Sequence, residues 1–122
     1  MTLFPIADAT IIQIASSTNY GNDVNLQVYP WASQYNRRFL VRFDFSNIPF
    51  GATIQKADLF LYETGVHDID PRVINVHRVT KDWKETEVTW NKYQTSSSWS
   101  TSGGDFISTA SAVTYAESIF LK

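Results

Sequence analysis

Residues 37–63 read RRFLVRFDFSNIPFGATIQKADLFLYE, and this stretch decides the fold class. Its side chains alternate with a period of two on either side of a central turn. In the first half, one face carries Phe39, Val41, Phe43 and Phe45, and the other carries Arg38, Leu40, Arg42 and Asp44. A helical period of 3.6 would scatter these side chains around the axis, whereas a strand places every second side chain on one face. The first half is therefore predicted to be a β-strand.

The second half, QKADLFLYE, follows the same pattern after a turn. Ala57, Leu59 and Leu61 share one face, and Lys56, Asp58, Phe60 and Tyr62 share the other. The intervening SNIPFGAT contains Asn, Pro and Gly, which predicts a tight connection. Further strands are predicted at Ala9–Ala15, Asn25–Tyr29, Val73–Val79, Val88–Asn91, Ala112–Tyr115 and Ile119–Leu121. Short strands without a helical pattern indicate an all-β protein, a jelly-roll-like antiparallel β-sandwich, with residues 1–122 forming one domain.

The composition excludes several classes of function. The chain has 122 residues and a net charge of −2, and its only adjacent basic residues in the arginine-rich strand are Arg37 and Arg38. Because nucleic-acid binding needs a basic footprint, no nucleic-acid partner is expected. No apolar run approaches the ~20 residues of a membrane-spanning helix, so no membrane insertion is expected. Cysteine is absent, which excludes disulfides.

The N-terminal MTLFPIADAT has no basic leader and no apolar core of a signal peptide. Two explanations stay open at this point. The chain is either made and used without export through the general secretory route, or it is a domain of a larger secreted protein.

The stretch TKDWKETEVTWNK, residues 80–92, contains a conspicuous group of acidic residues and two tryptophans. Asp82, Glu85 and Glu87 lie too close in sequence to face each other across a substrate cleft, as the carboxyl pair of a glycosidase must. No nucleophile motif occurs either. The protein is therefore predicted not to be an enzyme. Trp83 and Trp90 are predicted to pack in the core and to close one end of the fold.

Four motifs in order resemble a known family: NYGNDVNLQV, then RRFLVRFDFSNIPFGATIQKADLFLYET, then VHRVTKDWKETEVTWN, then WSTSGGDF. In combination they are similar to the DNRLRE-type domain, or disaggregatase-related repeat, which includes carbohydrate-binding module family 96. The resemblance covers residues 8–106. It implies a jelly-roll sandwich of secreted or cell-surface microbial proteins, some of which bind acidic polysaccharides such as alginate.

The resemblance also implies further strands after the GGDF motif, where this chain continues only to VTYAESIFLK. The chain is therefore expected to be a compact member, or to lack the final strands, or to receive them from another chain. An open sheet edge would allow a homo-oligomer or strand exchange.

Candidate ligand-binding residues are exposed rings and basic side chains, because sugars stack on aromatic faces and arginine forks pair with carboxylates. The predicted set is Trp31, Trp99, Arg38, Arg42, Lys56, Tyr62 and His77. For the two tryptophans, packing beneath a loop is an equal alternative, and for the sheet residues the alternative is a plain solvated face. By analogy with jelly-roll carbohydrate modules, Asp8 and Asp105 are the best pair for one structural calcium ion. The alternative is that Asp105 only accepts backbone hydrogen bonds in a turn.

Two functions follow from these observations. The first is a non-catalytic carbohydrate-binding or surface-adhesion module for a polysaccharide, located outside the cell or on a cell or virion surface, with an acidic polysaccharide as a candidate ligand. The alternative is a structural β-sandwich subunit of a virion, filament or surface layer.

Overall fold

The structure of the protein is a computed structural model, and it describes residues 1–30, 33–65 and 72–116. The chain divides into two compact units, and each is described by itself. Unit 1 comprises Met1–Ile48 and Val79–Phe106, and unit 2 comprises Pro49–Arg78 and Ile107–Lys122. The prediction of one domain stays a prediction.

Unit 1 is built on an antiparallel pair of strands, β1 (Pro5–Ile12) and β2 (Arg37–Phe43). Their register places Ala9 opposite Leu40 and Ile11 opposite Arg38. Residues directly opposite each other in such a pair lie on the same face of the sheet. Ala9, Ile11 and Leu40 belong to the core cluster, so we call this face the inner one, although Thr10 and Ile12 on the opposite face of β1 are buried as well.

The inner face of β2 is thus the one that carries Arg38 and Arg42, for which an outward position was expected. Arg38 and Arg42 lie on the side of Leu40 and stack on core tryptophans. An arginine can occupy this side because its aliphatic stem packs on apolar surface and its guanidinium is attracted to a ring face. Arg38 nevertheless stays exposed, whereas Arg42 is partly buried, so the prediction that both belong to an outward ligand-binding face stays a prediction for Arg38 alone.

The rest of unit 1 covers that inner face with a hairpin and its flanking turns. Strands β4 (Lys92–Gln94) and β5 (Ser97–Ser98) pair antiparallel. The core cluster consists of Ala9, Ile11, Leu40, Trp83, Val88, Trp90 and Trp99. The prediction that Trp83 and Trp90 pack in the core is confirmed, with 3% and 5% of their surfaces exposed.

Unit 2 contains the antiparallel pair β3 (Arg72–Val76) and β6 (Ala112–Ala116). Within the described residues the chain has three two-stranded antiparallel sheets and no helix. The predicted all-β, antiparallel class is confirmed.

Several predicted strands differ from the observed ones. Residues 55–63 and Val88–Asn91 lie outside every strand of the described structure. At Asn25–Tyr29, Tyr29 alone forms an isolated bridge, to Arg37. The alternation of apolar side chains is a local property, whereas a strand also needs a second segment to accept its hydrogen bonds. The predicted strand Ile119–Leu121 lies outside the described residues.

Candidate functional site

Trp99 lies in the core of unit 1, so the packing alternative holds for this residue. Only 5% of its surface is exposed. Its indole N–H donates to the Thr89 carbonyl at 3.0 Å, and its ring contacts the Tyr93 ring at a centroid distance of 5.5 Å. A ring enclosed in this way cannot stack on a sugar, so the prediction of Trp99 as a loop platform is corrected. Trp31 lies outside the described residues.

Arg42 connects strand β2 to Asp82 and Trp83 within unit 1. Its guanidinium lies 4.9 Å from the centroid of the Trp83 ring and donates to the Trp83 carbonyl at 2.6 Å. It also pairs with the Asp82 carboxylate at 2.9 Å. These contacts hold the loop before Trp83 against β2, so Arg42 has an evident structural role in the fold.

Arg38, unlike Arg42, is an exposed residue, and its guanidinium lies between two aromatic rings. The guanidinium carbon lies 5.1 Å from the Trp90 centroid and 5.5 Å from the Phe106 centroid. One terminal nitrogen donates to the Gly103 carbonyl at 2.8 Å. Partial burial lowers the pKa of Arg38, yet an arginine stays charged at any physiological pH.

The charge of Arg38 has no carboxylate partner among the described residues. The rings and the Gly103 carbonyl fix the orientation of the guanidinium, and that single carbonyl uses only one of its five N–H donors. A partly desolvated cation with unused donors favours an anionic ligand. Arg38 is therefore suited to bind one.

A groove of about 270 Å³ contains Phe106 in its lining, and Arg38, which is not itself a lining residue, contacts this ring. Its lining is Thr80, Thr101, Gly104, Asp105 and Phe106, and Phe106 is the ring on which Arg38 stacks. Phe106 is 40% exposed. A partly exposed ring beside hydroxyl and carboxylate groups has the mixed apolar and polar character of a sugar site. We call Arg38 and these five residues the Arg38–Phe106 groove.

Asp105 holds the turn that forms one wall of the groove. Its two carboxylate oxygens accept the backbone N–H groups of Ser100 and Thr101 at 2.9 and 3.0 Å. Such backbone hydrogen bonds in a turn are the role that the sequence analysis gave as the alternative to calcium binding by Asp105. The bond from Ser100 is the main cause that keeps the pKa of Asp105 below its ordinary value of 3.8.

This lowered pKa gives a pH-dependent stability that can be tested with Asp105→Asn. A carboxylate with a lowered folded-state pKa stabilises the fold above its unfolded pKa, and this contribution is lost as the pH falls through the folded value. We expect the melting temperature of wild type to exceed that of Asp105→Asn by a constant amount above about pH 5, and the difference to shrink below about pH 4. Thermal melts at a series of pH values measure this difference. A difference that persists unchanged to about pH 2 would contradict the assignment.

Calcium binding by Asp8 and Asp105 stays a prediction. The Asp8 backbone N–H donates to a Glu85 carboxylate oxygen at 2.8 Å, whereas Asp105 serves the turn already described. Within the described part of the chain, no group of three or more His, Cys, Asp or Glu side chains is arranged to hold a metal ion.

The other predicted ligand residues belong to unit 2. Lys56 pairs with Asp58 at 3.0 Å, and Tyr62 is 93% exposed. His77 Nδ1 lies 2.8 Å from the Ile107 carbonyl oxygen, next to the pairing of β3 with β6. The predicted set is therefore divided between the units, with Arg38 and Arg42 in unit 1 and these three in unit 2.

Sequence reasoning missed Phe106 as a site residue. The GGDF motif contains it, and the motif drew attention only to Asp105. A signal was available, because a phenylalanine after a Gly-Gly-Asp turn stands in a loop where a ring is easily exposed. A second groove of unit 1, lined by Asn22, Asp23, Val24, Asn25 and Gln27, was also not anticipated.

The described residues form an all-β protein, and comparison with known families shows the class to which it belongs. The family model for carbohydrate-binding module family 96 matches residues 1–113, so the chain belongs to that family. Members of a carbohydrate-binding class bind sugars rather than convert them, which agrees with the prediction that the protein is not an enzyme. No curated protein and no solved structure gives a significant match. Among the described residues, no helix is long and apolar enough to cross a membrane.

Proposed function

We propose that this protein binds an acidic polysaccharide outside the cell, and that the Arg38–Phe106 groove is where it does so. Family membership supports a carbohydrate as the ligand. The observation that supports an acidic rather than a neutral polysaccharide is the oriented guanidinium of Arg38, which has no carboxylate partner in the described residues. The comparisons give no support to the alternative of a structural virion, filament or surface-layer subunit.

The groove offers complementary groups for one sugar unit and its carboxylate. The partly exposed ring of Phe106 supplies a flat face for the C–H groups of a sugar. The hydroxyls of Thr80 and Thr101 and the carboxylate of Asp105 are suited to hydrogen bonds with sugar hydroxyls. Arg38 supplies paired donors for a uronate carboxylate.

The test uses affinity electrophoresis with a polyuronate and a neutral polysaccharide, comparing wild type with Arg38→Lys and Arg38→Gln. Lysine keeps the charge but loses the planar fork, so we expect Arg38→Lys to bind the polyuronate about tenfold more weakly. Arg38→Gln is expected to lose most of the binding. Wild-type binding should also weaken as salt is added, because this charge is partly exposed.

Lys92→Gln is the matched control, because it removes one positive charge from an exposed side chain of the same unit, outside the groove. It should bind like wild type, and thermal melts should show that all variants are folded. Unchanged polyuronate binding by Arg38→Gln would overturn the assignment of Arg38. Equal binding to both polymers would overturn the acidic preference, and binding to neither would overturn the proposed function.

A further inference from the structure

Residues 54–62 of unit 2, IQKADLFLY, form an exposed apolar segment that has strand periodicity but belongs to no strand of the described structure. Ile54 is 57% exposed, Phe60 89% and Tyr62 93%. On the opposite side of the alternation, Leu59 and Leu61 are 41% and 46% exposed. We call these residues the 54–62 segment.

An exposed segment with this pattern is suited to pairing with a strand of another chain. Strand addition forms main-chain hydrogen bonds, and side chains that alternate in character fix the register. Natural proteins keep such segments short or charged to prevent indiscriminate pairing. The charges in this segment are Lys56 and Asp58, which flank Ala57 and pair with each other at 3.0 Å.

The two charges make the segment complementary to itself. When two copies align antiparallel about Ala57, Lys56 of each copy lies opposite Asp58 of the other. The same register places Ile54 opposite Phe60 on the same face, so each charged pair is flanked by an apolar pair. An alignment about Leu59 would instead place Asp58 opposite Phe60 and leave both charges without a cross-strand partner of opposite sign.

We infer that the 54–62 segment pairs antiparallel with the same segment of a second copy of this chain, in the register centred on Ala57. The interface is isologous and closed, because the same surface serves both copies about a two-fold axis. An isolated pair of strands is only marginally stable in water, so the dimer is expected to be weak and to form with increasing concentration. This inference is independent of the proposed function.

The test is a charge exchange measured by light scattering and sedimentation over a concentration series. Lys56→Asp places two carboxylates on each copy, and Asp58→Lys places two ammonium groups there. We expect each variant alone to dimerise at least about tenfold more weakly than wild type, since two attractive cross-strand pairs become repulsive. An equimolar mixture of the two variants should form a heterodimer, because every opposing pair is then of opposite sign.

Lys84→Glu is the matched control, since it reverses the charge of an exposed residue in another ion pair, Lys84 with Glu87 in unit 1. It should dimerise like wild type. The charge-exchange positions are exposed, with 78% of the Lys56 side chain and 50% of the Asp58 side chain accessible, so both variants should fold. A wild type that stays monomeric at high concentration would overturn the inference. Single variants that dimerise like wild type, a mixture that does not associate, or assemblies larger than a dimer would each overturn it as well.

Discussion

Replacement of Trp99 by alanine is expected to lower the free energy of unfolding by about 3–5 kcal/mol, the usual cost of removing a large buried ring. The ring is 5% exposed and packs in the cluster that contains Trp83, Trp90 and Val88. Its removal also leaves the Thr89 carbonyl without the indole donor at 3.0 Å. Domains of this size are typically stable by only about 5–15 kcal/mol, so the variant loses a large share of its stability.

Urea denaturation followed by circular dichroism measures this change. Trp99→Phe retains much of the ring and loses the indole N–H, so we expect a smaller loss of about 1–3 kcal/mol. Phe50→Ala is the matched control, because it removes an aromatic ring that is fully exposed, and it should change the stability by less than about 0.5 kcal/mol. A Trp99→Ala protein as stable as Phe50→Ala would show that Trp99 does not lie in the core.

Replacement of Gly21 by alanine is expected to destabilise the fold by about 3 kcal/mol or more, because the added methyl group has no space. A Cβ at this position would clash with the backbone oxygen of Glu85 and lie 2.8 Å from its carbonyl carbon. The side chain of Asn19 joins the same two turns, since it donates to the carbonyls of Glu85 and Val88 at 2.8 Å each. Backbone atoms cannot rotate away, so the methyl group must separate these turns.

Two other glycines separate the effect of the clash from other effects of alanine. Gly65 has open space and no left-handed φ, so Gly65→Ala should be nearly neutral. Gly51 also has open space but a φ of +82°, so Gly51→Ala should cost about 1 kcal/mol from backbone strain alone. Chemical denaturation of the three variants measures the differences. The close approach of the two turns is contradicted if Gly21→Ala is no more destabilised than Gly51→Ala.

Local patterns predicted those features of the fold that depend on neighbouring residues alone. The alternation in RRFLVRF identified β2, which the structure has at Arg37–Phe43. The tryptophans of the TKDWKETEVTWNK stretch were assigned to the core, and both are buried. Two acidic residues beside them, Glu85 and Glu87, accept the backbone N–H groups of Asp8 and Thr95 at 2.8 Å, and these pairings could not be predicted from local patterns.

The candidate site could be predicted only in part. Arg38 was identified from its residue type, because arginine is the side chain suited to bidentate pairing with a carboxylate. Its position between Trp90 and Phe106 could not be read from the sequence, since Arg38 and Phe106 are distant along the chain. The burial of Trp99 could not be predicted either. A tryptophan in a Ser-rich loop is compatible with an exposed or a buried position, and only its tertiary contacts show that this one is buried.

The sequence by itself determined the all-β class, the strand β2 and the core role of Trp83 and Trp90, because periodicity and ring size act locally. Tertiary structure decided which face of β2 is the inner one, because the core tryptophans pack on the side of Arg38, Leu40 and Arg42 although the opposite face has the more apolar pattern. It decided also that the 54–62 segment has no partner strand among the described residues. A strand forms only when a second segment accepts its hydrogen bonds, and the nine residues of the 54–62 segment do not show whether such a segment lies beside them.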